Sequence, residues 1–134
     1  MIADSNLLIL AAKLQHPELR LWVDSASLAI SAISKVEMLG YQKLEPVEKH
    51  LLELFHSKLT SYPITDVIID RAIALRQAKR MSLGDSLIAA TALVHGQVLA
   101  THNTRDFKNI PDLIVVDPLD PTPPPSATLA PTGE

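Results

Sequence analysis

The stretch Leu83-Gly84-Asp85-Ser86-Leu87-Ile88-Ala89-Ala90-Thr91-Ala92-Leu93 places one carboxylate at the mouth of a run that is otherwise apolar or small. A helix that is apolar nearly all round belongs in a protein interior. Asp85 then has two readings. As an N-cap it would accept a hydrogen bond from the first turn and suit the positive end of the helix dipole. As a chemical group it would be an acid held by a rigid post, and it would need other acids beside it. Asp4 interrupts two apolar stretches at the end of Met1-Ile2-Ala3, where a charge has no evident structural task. Glu37 closes Ser34-Lys35-Val36-Glu37, which also reads as a capping box. Asp106 ends the polar loop His102-Asn103-Thr104-Arg105-Asp106, where a turn formed with Arg105 explains it equally well. Acids brought together from separate segments are hard oxygen ligands for divalent cations. Other chemistries are poorly supplied. No His or Asp is arranged around Ser86 to activate it as a nucleophile. The histidines, His16, His50, His56, His95 and His102, show no metal-site spacing, and His95 reads as a core or helix-end residue.

The elements that must position these acids alternate between strand and helix. Met1-Ile2-Ala3 reads as a strand stub, so either the first strand is very short or its natural start lies upstream. A short helix over Leu7 to Lys13 is stopped by Pro17, and another runs from Glu18 to Ala26 with Leu19, Trp22 and Val23 inward. Leu28 to Ile33 is expected to be a strand, followed by a helix that Ser34 opens. Pro46 starts an amphipathic helix through Lys58 with Leu51, Leu52, Leu54 and Phe55 inward. Tyr62 to Ile64 reads as a brief strand. Asp66 is expected to cap a helix reaching Met81, with a stripe of Ile69, Ala72, Ile73, Leu75 and Arg76. Gly96 closes the central helix, and strands over Gln97 to Thr101 and Leu113 to Val116 complete the pattern. The alternation predicts an α/β layered fold with a mostly parallel sheet. In such sheets functional groups gather outside the carboxyl ends of the strands. Asp4, Glu37, Asn103 and Asp106 all follow strands there, and Asp85 opens the helix that leads into the fourth.

Composition sets the bounds. At 134 residues the chain suits one domain, 47% hydrophobic and 20% charged, with an aliphatic core because only two Phe, two Tyr and one Trp occur. The lack of cysteine excludes disulfides, iron–sulfur clusters and thiolate zinc sites. Asp4 and Asn6 within the first apolar run argue against a signal peptide, and no stretch is long enough to span a membrane, so a cytoplasmic location is expected. The net charge of −3 argues against nucleic-acid binding, but neutralising four carboxylates with two divalent ions would turn it to +1. Lys35, Lys79, Arg80 and Arg105 lie near the motif ends, where they could meet phosphates. Residues 1–117 read as the folded unit. Residues 118–134 hold six of the ten prolines and no basic residue, and read as an extended, disordered tail.

Taken in order, Asp4-Ser5-Asn6, Ser34-x-x-Glu37, Asp85-Ser86-Leu87-Ile88-Ala89-Ala90-Thr91-Ala92 and Thr101-His102-Asn103-Thr104-Arg105-Asp106-Phe107 resemble the successive motifs of PIN-domain ribonucleases, and most of all the VapC-type toxins of toxin–antitoxin pairs. The ordered set is the specific signal, since Asp-Ser-Asn alone carries none. The resemblance implies a PIN-like three-layer fold, a parallel sheet flanked by helices. It also implies a Mg²⁺- or Mn²⁺-dependent endoribonuclease, with Asp4, Glu37 and Asp85 as the metal-binding core and Asp106 as the fourth acid. Ser5 and Thr101 would steady those ligands, and Asn6 would tie down the loop. RNA would be the substrate, a cognate antitoxin would block the site, and homodimers are common in such proteins. Some members place an acid where this chain has Asn103, which leaves one or two metals open. A catalytically inactive PIN-like binding module is the competing reading, favoured by Asn103 and the short first strand. A phosphoryl-accepting receiver-like domain would want two adjacent acids after the first strand and a Lys after the last, and neither is here.

Overall fold

The computed structural model describes residues 1–120, and the remainder of the expected tail, 121–134, lies outside the described residues. Five short strands form one sheet: β1 (Ile2–Ala3), β2 (Ala29–Ser31), β3 (Thr60–Tyr62), β4 (Leu99–Ala100) and β5 (Val115–Val116). Every pairing is parallel, and the spatial order is β3-β2-β1-β4-β5. The chain therefore builds outward from β1 to one side, then crosses back to build the other side. Such a reversal opens a crevice at the carboxyl end of the central strands. Asp4, the residue after β1, stands at that crevice.

Alternation along the strands divides the core into two layers. Ala3, Ile30 and Ala100 pack with Leu7, Leu8, Leu19, Met38, Leu52 and Phe55. These come from α1 (Ser5–Ala11), α2 (Pro17–Ser25), α3 (Ala32–Leu39) and α4 (Pro46–Lys58). The neighbouring residues Ile2, Ala29 and Leu99 point the other way, onto Ile88, Ala89 and Ala92 of α6 (Leu83–Val94) and onto Phe107 and Ile110. A third cluster joins α6 to α5 (Asp66–Ala78) through Ile68, Ala72, Leu87 and Ala90. The expected three-layer α/β architecture is thus present. So is the expected central helix, whose residues from Ser86 to Ala92 are all buried. Its two buried hydroxyls are satisfied within the helix: Ser86 Oγ donates to the Leu83 carbonyl and Thr91 Oγ1 to that of Leu87, both at 2.7 Å.

Several local expectations need correction. The cap of α3 is Ser31, whose Oγ accepts from the Ile33 amide at 3.3 Å, so the helix starts one turn before Ser34. Strand β2 is accordingly shorter than Leu28 to Ile33, because its last residue is already the cap. Thr65, not Asp66, caps α5, and the buried face of α5 is Ile68 and Ala72, with Ile69 and Ile73 40% and 51% exposed. Apolar residues at 67, 68, 69, 72 and 73 satisfy two helical stripes, and the alanine face of α6 selects the one that brings small Ala72 close. α5 ends at Ala78 rather than near Met81, and β3 is Thr60–Tyr62 rather than Tyr62 to Ile64. In α4, Leu52 and Phe55 are buried as expected, Leu51 is half-buried and Leu54 faces out. Of the two readings of His95 the helix-end one holds: it is the exposed C-cap of α6, not a core residue, and stacks on Tyr62 with ring centroids 3.8 Å apart. After β5, Leu119 packs against the core of the α1–α4 side.

Candidate active site

Asp4 leaves β1 as the residue before α1. Its amide donates to the Ala100 carbonyl at 2.9 Å, and its own carbonyl accepts from Leu7 and Leu8, which fixes the backbone between strand and helix. The side chain makes no capping bond and turns instead into the crevice, 2% exposed. There Oδ2 accepts from Thr101 Oγ1 at 2.8 Å, and Thr101 Oγ1 in turn accepts from the Asn103 amide at 3.0 Å. Thr101 follows β4, so the neighbouring strand orients the acid of the central one.

Glu37 reaches the same place from α3. Since Ser31 is the cap, Glu37 has no role in a capping box, and its Oε1 accepts from Ser5 Oγ at 2.7 Å. Ser34, the other half of the expected box, is fully buried. Asp85 is likewise not the cap of α6. Ser82 is, and its Oγ accepts from the Asp85 amide at 3.1 Å, which leaves the Asp85 carboxylate in the first turn. The capping roles offered for Glu37 and Asp85 are therefore not realised, although Asp85 still lies in the first turn of α6, where its charge suits the helix dipole.

Asp4, Glu37 and Asp85 line one cleft of about 440 Å³, together with Asn6, Ile9, Val36, Tyr41 and Lys43. Asp106 is set apart. It lies in the 3₁₀ turn Thr104–Phe107, exposed, and lines a separate depression with Asn103 and Arg105. Its charge is still felt by Asp85. Among the supporting residues, Ser5, Thr101 and Asn103 join the hydrogen-bonded frame, whereas Asn6 stands exposed on the cleft wall.

The electrostatics follow from burial without compensation. The Asp4 carboxyl is raised from the ordinary 3.8 to about 6, first by burial and then by the charges of Asp85 and Glu37. The Thr101 hydroxyl and the Ser5 amide oppose the shift. Asp85 is raised too, chiefly by burial, with Asp106 and Glu37 adding repulsion while Ser82 and Lys79 favour the charged form. Among the described residues no ion pair engages Asp4, Glu37 or Asp85. Nor, among the described residues, do three or more acid or imidazole groups stand together as a cluster that could hold a metal ion as the side chains are placed. The donor set nevertheless suits a hard divalent cation: the donors are oxygens, they repel one another, and Mg²⁺ retains several waters rather than requiring a full protein cage.

Three further residues shape the site beyond the acids and hydroxyls expected to form it. Ser82 was visible as the Ser-x-x-Asp spacing ahead of an apolar run. Gly84 allows Glu37 to approach, since a Cβ there would collide with the Glu37 carboxylate. Lys79 Nζ donates to the carbonyls of Asp106 and Lys108, at 3.0 and 2.6 Å, and so anchors the turn that carries Asp106. Nothing in the sequence marks Lys79 for this.

A family model described as PIN domain matches residues 1–113. Among solved structures, a chain of a toxin–antitoxin complex from Klebsiella pneumoniae is 32% identical, with 86% of this chain and 94% of that chain covered and a TM-score of 0.68. A chain of VapBC2 from Rickettsia felis bound to a DNA fragment from their promoter is 23% identical, covering 87% and 96% with a TM-score of 0.70. A chain of DNA-bound VapBC from Salmonella typhimurium is 21% identical, covering 87% and 96% with a TM-score of 0.69. At those two identities the likeness is one of fold. No curated protein sequence matches the chain. No helix among the described residues is long and apolar enough to cross a membrane.

Proposed function

This chain belongs to the PIN domain family, and from that premise we propose that it is a Mg²⁺- or Mn²⁺-dependent endoribonuclease, the toxin half of a toxin–antitoxin pair. One observation carries the reading: three carboxylates from three chain segments share one cleft, two of them oriented by hydroxyls and none of them in an ion pair among the described residues. A divalent ion, when bound, supplies charge stabilisation for the attacking and leaving oxygens of a phosphodiester. Asp4, Glu37 and Asp85 would hold it. Thr101 orients the Asp4 carboxylate through Oδ2, and Ser5 orients that of Glu37 through Oε1. Lys43, on the cleft wall, would meet the phosphate backbone of an RNA strand. Asp106, beyond Asp85, would serve a second ion. The complexes among the structural neighbours support a cognate antitoxin as partner, and a homodimer is part of the same proposal.

The inactive binding module is kept as a second reading because Asn103 is an amide and Asp106 stands outside the main cleft. Cleavage of a mixed-sequence RNA by the purified chain separates the two. Product should form with Mg²⁺ or Mn²⁺, disappear in excess EDTA and return when the ion is restored. RNA binding without cleavage under every metal condition would leave the binding module, and cleavage at full rate in EDTA would refute the metal mechanism.

A further inference from the structure

Glycine at position 84 costs the helix something. It is the second residue of α6, and alanine is favoured over glycine in helices. The other described glycines have backbone reasons. Gly96 follows α6 with φ +62°, and Gly40 ends α3 where a Cβ would strike the Val36 carbonyl. Gly84 has neither. The three nearest atoms that a Cβ would meet there are Oε2, Cδ and Oε1 of Glu37. Glu37 is also held on its other side, by the Ser5 hydroxyl at 2.7 Å on Oε1. The neighbour of Gly84 along the chain is Asp85, whose carboxylate lines the same cleft.

We infer that Gly84 is a positioning residue: the space of its missing side chain seats the Glu37 carboxylate against the first turn of α6, at a fixed separation from Asp85. This rests on the reading of Asp4, Glu37 and Asp85 as a cation site and adds to it the residue that sets one ligand's place. Because the obstructed atoms are the end of a flexible side chain, Gly84→Ala is cheap for the fold. It becomes costly only at the site, where Glu37 must leave its seat and with it the Ser5 bond. Shortening the same side chain by one methylene gives the room back.

The test compares the full chain with Gly84→Ala, Glu37→Asp, the double variant and Glu37→Gln. Metal-free melting temperature and Mn²⁺ affinity, read from the free-ion electron paramagnetic resonance signal, are measured on each, with RNA cleavage as a third readout. Gly84→Ala should melt at or above the parent temperature yet bind Mn²⁺ at least tenfold more weakly. The double variant should bind more tightly than Gly84→Ala alone, a coupling that residues without contact do not show. The inference is overturned if Gly84→Ala binds Mn²⁺ like the parent, if the double variant gains nothing over it, or if Gly84→Ala melts more than ten degrees lower, which would make Gly84 a packing residue. If parent and Glu37→Gln bind Mn²⁺ alike, the cation-site reading fails and takes this inference with it. If Glu37→Gln loses binding and Gly84→Ala does not, the inference fails alone.

Discussion

Polar groups meet across the sheet in two places, and they are treated in opposite ways. Ahead of β1 and β4, the Met1 amino group donates to Gln97 Oε1 at 2.8 Å, Gln97 Nε2 donates to the Tyr62 hydroxyl at 2.7 Å, and the Tyr62 ring stacks on His95. The charged amino group there has a neutral side-chain oxygen as acceptor, and the contacts that follow are between neutral amide, hydroxyl and ring. After β1, β2 and β4 the arrangement concentrates like charge: Asp4 is buried beside Asp85 and Glu37, relieved by hydroxyls and amides and, at Asp85, by the more distant charge of Lys79. The first place is built for stability. The second gives up stability to keep acids close, which is the cost the proposed cation site would carry in the cation's absence.

The largest expected effect breaks the second place and leaves the first intact. Glu37→Gln and Asp85→Asn keep side-chain size and hydrogen-bonding capacity, and Ser31 and Ser82 remain as caps. RNA cleavage should fall by roughly a thousandfold or more, as expected when a catalytic charge is removed, while melting without metal stays level or rises. Asp106→Asn should retain partial cleavage, since Asp106 lies outside the cleft that holds the other three. Equal losses at all four acids would erase that distinction.

The next effect is on stability against pH. With Asp4 at about 6 in the folded chain and 3.8 when unfolded, the folded state holds more protons between those values. Stability without metal should therefore fall as pH rises from about 4 to above 6, by up to about 3 kcal/mol from Asp4. The raised Asp85 acts in the same direction. Asp4→Asn should flatten the slope, read as melting temperature from pH 4 to pH 7.5 in EDTA. A parent whose stability climbs steadily over that range would contradict the burial and repulsion described for Asp4.

How much was legible in the sequence follows the same division. The all-apolar run after Asp85 permits only a buried helix, and Pro46 fixes the start of α4, so both helices are where the pattern puts them. The α/β layering and the order of the acids were also readable. The phase of α5 was not, because two apolar stripes overlap and only the alanine face of α6 decides between them. The cap of α3 was misplaced because Ser31 and Ser34 stand one turn apart and both offer a hydroxyl. That error mattered for the site, since it lent Glu37 a structural task it does not have. Asp106 shares the strand-end rule with Asp4, yet its short turn leads it out of the main cleft, a matter of loop geometry that no spacing encodes.

Two smaller effects sharpen the contrast. Lys79→Met removes both carbonyl bonds that hold the Asp106 turn and a positive charge near Asp85. Cleavage should fall about tenfold, with a loss of about 1 kcal/mol in stability for the missing bonds. Tyr62→Phe, at the other place, should lower stability by about 1 kcal/mol through the unpaired Gln97 amide and leave cleavage unchanged. Cleavage that fell with Tyr62→Phe would mean that the two places are coupled.

Melting temperature during a Mn²⁺ titration at pH 7.5, on the parent and on Asp4→Asn side by side, tests the central claim most directly. The parent should begin lower, because its buried acids repel without a counter-ion, and rise by about 10 °C as the ion reaches a hundred times its dissociation constant. Asp4→Asn should begin higher and stay level, so that the two curves converge or cross. A parent that does not respond, or a variant that rises in parallel with it, would show that the acids after β1, β2 and β4 are not held together for a cation.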